Sequence, residues 1–175
     1  MIIKAIIFVV MSVVIFMKFR KELFAFRRHG PYMFAAFEGL LALFIINGEY
    51  MFDNGLSLRQ ILSWALFIVS ACFAFLGFRG LKKYGQPVHD WENTTRLVRD
   101  GVFKYIRHPL YASLMLLSTG MLLKDVSLRA ASVFLLTLSF LVTASHIEES
   151  ENTRKFGAEY ENYILTTNRY LPFII

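Results

Sequence analysis

The chain has 175 residues, of which 56% are hydrophobic and only 18% are charged. A soluble domain of this length needs a more polar surface, so the composition predicts an integral membrane protein with a single domain over residues 1–175. The net charge of +6 fits basic loops beside apolar spans better than nucleic-acid binding, and the single cysteine, Cys72, excludes an internal disulfide and a thiolate metal site.

Five apolar runs predict an all-α membrane protein with about five transmembrane helices. They cover residues 2–17, 32–52, 59–78, 110–123 and 130–145. The first run crosses most of a ~30 Å hydrocarbon layer. A basic segment follows it rather than a small-residue cleavage pattern, so we expect a retained span and not a signal peptide. The fourth run is short for a full span, and with the fifth it predicts a helical hairpin joined at Lys124-Asp125.

Two acidic residues interrupt the second run. Glu38 and Glu49 are eleven residues apart, about three helical turns, so they share one face. Acids inside a membrane helix usually face the bundle interior or reach the membrane surface at its ends. Glu49 lies near the end of the run and is expected to reach the surface, whereas a structural and a functional role both stay open for Glu38. The run ends at Asp53-Asn54-Gly55, which predicts a turn.

The distribution of basic residues orients the five spans. Residues 18–30, residues 79–108 and the C-terminal tail hold fifteen of the nineteen Lys and Arg, including Arg27. The opposite side holds Lys4, Arg59, Lys124 and Arg129. The positive-inside rule therefore predicts an N-terminus outside and a cytoplasmic, helical C-terminal tail.

Two polar blocks flank the hairpin. The first polar block, residues 95–111, ends in Arg107-His108-Pro109, and Pro109 suits the first turn of a helix. His108 and Tyr111 then share a helix face. Residues 98–106 predict either a short interfacial helix or a loop. The second polar block, residues 146–173, is expected to be helical until Pro172, and we expect the two blocks to close over one site.

Each polar residue also has a structural interpretation. Arg107 could anchor the topology, His108 could cap a helix, the acids after His146 could form a solvated helix face, and the tyrosines could lie in an interfacial belt. His146 and Glu149 have the spacing of helical metal ligands, but no third ligand is evident, so no metal is expected.

Taken together, the motifs resemble the isoprenylcysteine carboxyl methyltransferase and phospholipid methyltransferase family. The resemblance covers about residues 80–175 and rests on these matching residues: Arg107-His108-Pro109 with Tyr111, Glu148-Glu149, Phe156-Gly157, Tyr160, Tyr163, Arg169 and Pro172. Three positions depart from the family pattern. Ser113 stands where Gly is usual, Ala144 where many prenylcysteine enzymes have Arg, and Asn152 where Leu is usual.

The resemblance implies a membrane enzyme that uses S-adenosylmethionine to methylate a lipophilic acceptor, such as a prenylcysteine-like carboxylate, a lipid amine or a small lipophilic molecule. Membrane lipids are its expected surroundings. The implied catalytic residues are Arg107, Glu149 and Arg169. The implied cofactor-binding residues are Gly101, His108, Pro109, Tyr111, Glu148, Glu149 and Tyr160.

Two other functions stay open on the sequence. An NADPH-dependent lipid or sterol reductase shares a similar C-terminal region but usually has more spans. A non-catalytic assembly or sensing protein would need no pocket between the polar blocks. A transporter is disfavoured because no internal repeat is visible.

Overall fold

A computed structural model describes residues 2–24, 28–53, 55, 57–88 and 94–172. The described residues form six α-helices and no strand. The helices are α1 (Ile2–Phe19), α2 (Gly30–Asn47), α3 (Leu58–Tyr84), α4 (Pro109–Leu122), α5 (Leu128–Phe156) and α6 (Ala158–Thr166). Short 3-10 turns lie at Gly48–Tyr50 and Gly101–Lys104. Arg27 and Asn54, which were used in the topology and turn predictions, lie outside the described residues.

Four of the described helices are long and apolar enough to cross a membrane: α1, α2 with its 3-10 extension, α3 and α5. This confirms the all-helical fold, with four candidate membrane-spanning helices among the described residues. Helix α4 has 14 residues, about 21 Å of rise, which is shorter than a ~30 Å hydrocarbon layer. Its assignment as a fifth span stays a prediction, as does the orientation of the termini.

Helix α5 is longer than the apolar run that predicted it. It continues from the expected end at residue 145 to Phe156, because the Glu, Arg and Lys residues of that segment are good helix formers that extend into water. Gly157 ends it with φ +57°, the left-handed conformation in which glycine commonly terminates helices. The expected helical tail is therefore two elements, the end of α5 and α6, and the described chain after Thr166 is not helical.

The chain divides into two compact units, and the prediction of a single domain stays untested. The first unit comprises Met1–Phe67 and Met115–Glu148. Its core is built on Leu43, Met121 and Ala130. A Cβ on Gly39 would overlap the Thr137 hydroxyl, so α2 and α5 approach closely at a small residue, as membrane helices commonly do.

The two acids of the second run both contact α1. The Lys4 ammonium donates to Glu49 at 2.7 Å, and the Ser12 hydroxyl donates to Glu38 at 2.7 Å. The predicted common face of Glu38 and Glu49 is therefore present, and it packs on the preceding helix.

A buried polar cluster joins three segments of the first unit. Lys124, which the topology prediction treated as a loop charge, is fully buried. Its ammonium donates to Gln60 Oε1 at 2.8 Å and to the Met51 carbonyl at 3.1 Å, and it lies 4.0 Å from the centre of the Trp64 ring. These partners replace the water that a loop lysine would have.

The second unit comprises Ile68–Leu114 and Glu149–Ile175 and contains the first polar block. Of residues 98–106, only Gly101–Lys104 form a helical turn, so this segment is a loop with one 3-10 turn and the alternative of a short interfacial helix is wrong. Gly80 on α3 lies against the Phe103 ring, where a Cβ would meet it at 2.9 Å. The block is thus packed closely on the end of α3.

Candidate functional site

Backbone hydrogen bonds within the second unit attach the C-terminal segment to the first polar block. The Arg107 and His108 amides donate to the carbonyls of Asn168 at 2.9 Å and Arg169 at 3.0 Å, and the Asn168 amide donates to the Tyr105 carbonyl at 3.2 Å. This short parallel pairing places Arg169 beside His108, although sixty residues separate them.

The Glu149 carboxylate is the centre of the site. Arg107 Nε donates to Oε1 at 2.8 Å, and His108 Nε2 lies 3.2 Å from the same oxygen. Arg169 donates to both carboxylate oxygens, from Nε at 3.2 Å and from Nη2. Because Glu149 is 8% exposed, these charge-assisted bonds are what makes a carboxylate tolerable there.

Arg107 also fixes the chain that carries Arg169. Its Nη1 donates to the carbonyls of Ile164, at 3.2 Å, and Thr167. The side chain of Arg107 is only 8% exposed. Arg107 therefore links the end of α6 to the start of α4, while holding one oxygen of Glu149.

Arg169 is the more accessible of the two arginines, with 24% of its side chain exposed. Its pKa is raised: burial acts to lower it, but the hydrogen bond and the negative charge of Glu149 outweigh that effect. The two guanidinium groups carry N–H donors of the kind that binds an anionic group on a ligand.

Aromatic rings surround the imidazole of His108. Tyr111 meets it edge-on with centroids 5.2 Å apart, which fits their predicted shared face, and Tyr170 lies at 6.2 Å. Tyr160 and Tyr163 are both buried, and their ring centroids lie 5.9 Å apart. The Tyr163 hydroxyl donates to the Phe103 carbonyl at 2.6 Å, and burial raises the pKa of this phenol.

The structure brings together the central residues of the two polar blocks, namely Arg107, His108, Glu149, Arg169 and Tyr111. The other candidates lie nearby in the chain. Pro109 begins α4, Gly101 begins the 3-10 turn with φ +66°, and the Tyr160 ring packs on the ring of Tyr163. Glu148 is half-buried on α5. Their roles in binding or catalysis stay predictions.

Two contributors were missed by the sequence analysis. Tyr170 flanks His108, and its position beside Arg169 in an aromatic and basic C-terminal segment was an available signal. The carbonyls of Ile164 and Thr167 bind Arg107, and no side-chain pattern could have shown this.

Ser113, which stands where the family usually has Gly, is buried and donates to the Leu110 carbonyl at 2.6 Å, so its hydroxyl is satisfied within α4.

Among the described residues, no group of three or more His, Cys, Asp or Glu side chains could hold a metal ion. The arrangement consists instead of cationic donors around one carboxylate, with aromatic rings at its edge. Such a set can bind a zwitterionic ligand, because it offers N–H donors to an acid and negative charge to a base.

Comparison with known proteins points to a family. A family model described as phospholipid methyltransferase matches residues 58–159, more than half of the chain. The match includes the first polar block and Glu149, and it ends before Tyr160 and Arg169. No curated protein and no solved structure matches the chain.

Proposed function

The chain belongs to the phospholipid methyltransferase family, and on that premise we propose that it transfers a methyl group from S-adenosylmethionine to a lipophilic acceptor at the cytoplasmic membrane face. The observation that supports this most is the meeting of Arg107, His108 and Arg169 on the buried Glu149. Three of these four residues lie within the matched region, and all four come from the two polar blocks.

The residues present fit the chemistry of this methyl donor. S-adenosylmethionine has a carboxylate, an ammonium and a sulfonium, so it needs N–H donors on one part and negative charge or ring faces on another. Arg169 and His108 would hold the carboxylate, and Glu149 would balance the positive groups. Tyr111 and Tyr170 offer the ring faces. When bound, the donor supplies an activated methyl group on its sulfonium.

The chain's own contribution is mainly positioning. Orienting two reactants can supply roughly 7–11 kcal/mol of a barrier. We assign Arg107 a positioning role, because its guanidinium is buried and committed to Glu149 and to the C-terminal segment. We assign the contact with the donor, or with an acidic group of the acceptor, to Arg169, because its side chain is more exposed.

The acceptor class follows from the membrane setting. Four described helices can cross a bilayer, so a lipophilic molecule can reach the protein sideways. A carboxylate acceptor needs no activation, whereas an amine acceptor must lose a proton first. The guanidinium groups beside Glu149 suit an acceptor that carries an acidic group, and a phospholipid phosphate or a prenylcysteine-like carboxylate both provide one. Fifteen of nineteen basic residues support the cytoplasmic assignment.

The test is a transfer assay with methyl-labelled S-adenosylmethionine and the full chain in lipid nanodiscs. Total membrane lipid and a prenylcysteine analogue are offered in parallel. We expect label in one of the two, and at least about a hundredfold less with Glu149→Gln, because the cluster that positions the reactants loses its centre. Glu159→Gln is the control, since the ion pair of Glu159 with Arg99 is exposed. The absence of label from both acceptors would refute the proposed activity.

A further inference from the structure

Helices α1 and α2 form a groove that the proposed methyl transfer does not use. It has a volume of about 430 Å³ and is lined mainly by apolar side chains, with Glu38 and Ser12 as its polar residues. That volume is within the range of small-molecule sites. All of its lining residues belong to the first compact unit.

Glu38 is the unusual residue of this groove. It lies at the centre of α2, so in a bilayer it lies at the depth of the hydrocarbon. Ser12 satisfies Oε2 with a 2.7 Å hydrogen bond, whereas Oε1 is buried and has no hydrogen-bond partner among the described residues. An unsatisfied carboxyl oxygen in an apolar setting is costly, and acids at such depth commonly mark a functional site.

The rest of the lining indicates which ligand would satisfy Glu38. Phe8, Phe16 and Phe34 line the same groove as Glu38, and aromatic faces beside a carboxylate are a recognition pattern for organic cations. The apolar side chains of α1 are mostly exposed, as expected for a helix in contact with lipid. A ligand that enters from the bilayer must therefore itself be apolar over most of its length.

We propose that the groove between α1 and α2 binds a lipophilic amine, with the Glu38 carboxyl group turning Oε1 into the groove to accept from the nitrogen and the hydrocarbon lying along the three phenylalanine rings. The pair formed by a carboxylate and an ammonium carries no net charge, which is the condition for placing both at this depth. Ser12 orients the carboxylate by holding its other oxygen. This site is independent of the proposed methyl transfer.

The experiment compares two probes that differ only in the polar group. The full chain in detergent, with no methyl donor present, is photolabelled with diazirine-bearing dodecylamine, and the labelled peptides are mapped by mass spectrometry. Unlabelled dodecylamine and dodecanol compete. We expect labelling at residues 8–16 and 34–38, with dodecanol competing at least about tenfold more weakly because it lacks the charge-assisted bond.

Two variants separate the carboxylate from the groove. Glu38→Gln keeps the size of the side chain and is expected to remove the preference for the amine. Glu49→Gln is the matched control, since this acid of the same helical segment pairs with Lys4 at the exposed end and is expected to leave labelling unchanged. Equal competition by the two unlabelled probes on the wild-type chain would overturn the proposal even if Glu38→Gln does not fold. Labelling elsewhere, or crosslinks in the groove only between two copies of α1, would overturn it as well.

Discussion

Replacing Glu149 by Gln is expected to destabilise the second unit strongly. The carboxylate accepts charge-assisted bonds from Arg107 and Arg169, whose side chains are 8% and 24% exposed. Two such bonds at about 1.5 kcal/mol each give a loss of roughly 3 kcal/mol. Removing one partner of a buried ion pair costs up to about 5 kcal/mol, because the remaining charges are left uncompensated. The expected loss is therefore about 3–5 kcal/mol, or a fall in Tm of roughly 6–20 °C for a chain of this size.

Thermal unfolding in detergent measures this loss, with Glu159→Gln as the control. Its ion pair with Arg99 is about half exposed on both sides, so the control is expected to lose less than about 1 kcal/mol. Arg107→Gln and the double variant complete a cycle, in which the two losses are expected to overlap by at least about 1 kcal/mol. The conclusion that this cluster holds the two polar blocks together would be refuted by a Glu149→Gln variant as stable as the control. Strictly additive losses for Glu149→Gln and Arg107→Gln in the double variant would refute it as well.

Three further changes test other parts of the structure. Burial raises the folded-state pKa of Tyr163 above the ordinary value of about 10. The stability that the protonated phenol contributes is therefore present below pH 10 and lost as the pH rises. The Tm of the wild-type chain is expected to fall more steeply above pH 10 than that of Tyr163→Phe. Lys124→Met is expected to cost about 2–4 kcal/mol in thermal unfolding, because it leaves Gln60 Oε1 buried without its donor. Gly39→Val is expected to cost about 1–3 kcal/mol by overlap with Thr137.

Each of these changes has a control. Tyr105→Phe alters a tyrosine that is 51% exposed, and its Tm is expected to fall above pH 10 as steeply as that of the wild type. If the Tm of Tyr163→Phe also falls as steeply as that of the wild type, the raised pKa of Tyr163 would be contradicted. Lys82→Met removes an exposed lysine and is expected to change stability by less than about 0.5 kcal/mol. An equal effect at Lys124 would be inconsistent with its buried contacts. Thr137→Ala is expected to recover part of the Gly39→Val loss, and no recovery would argue against close packing of α2 on α5.

The helices were largely predictable because their signal is local. Long apolar runs identified α1, α2, α3 and α5, and Pro109 marked the start of α4. The ends were less predictable. The polar residues after 145 continue α5 because hydropathy reports burial in lipid and not helix formation, and the actual stop is set by the backbone of Gly157.

The site was predictable in its residues but not in its geometry. Arg107, His108, Glu149 and Arg169 could be named from spaced motifs, because charged side chains beside apolar runs are conspicuous. The contact of the other three residues with Glu149 depends on the pairing of Tyr105–His108 with Asn168–Arg169. Backbone groups make this pairing, so no pattern of side chains in the sequence indicates it. The burial of Lys124 was missed for a similar reason, since its partners lie more than sixty residues away.

The most direct test of the proposed function is binding of S-adenosylhomocysteine to the detergent-solubilised chain by isothermal titration calorimetry. Saturable binding is expected at one site per chain, at least about tenfold weaker for Arg169→Gln, because a charge-assisted bond to the ligand carboxylate is lost. Glu159→Gln is expected to bind as the wild type does. A folded wild-type chain that shows no binding heat at saturating ligand, or an Arg169→Gln variant that binds equally well, would contradict a methyl-donor site around Glu149.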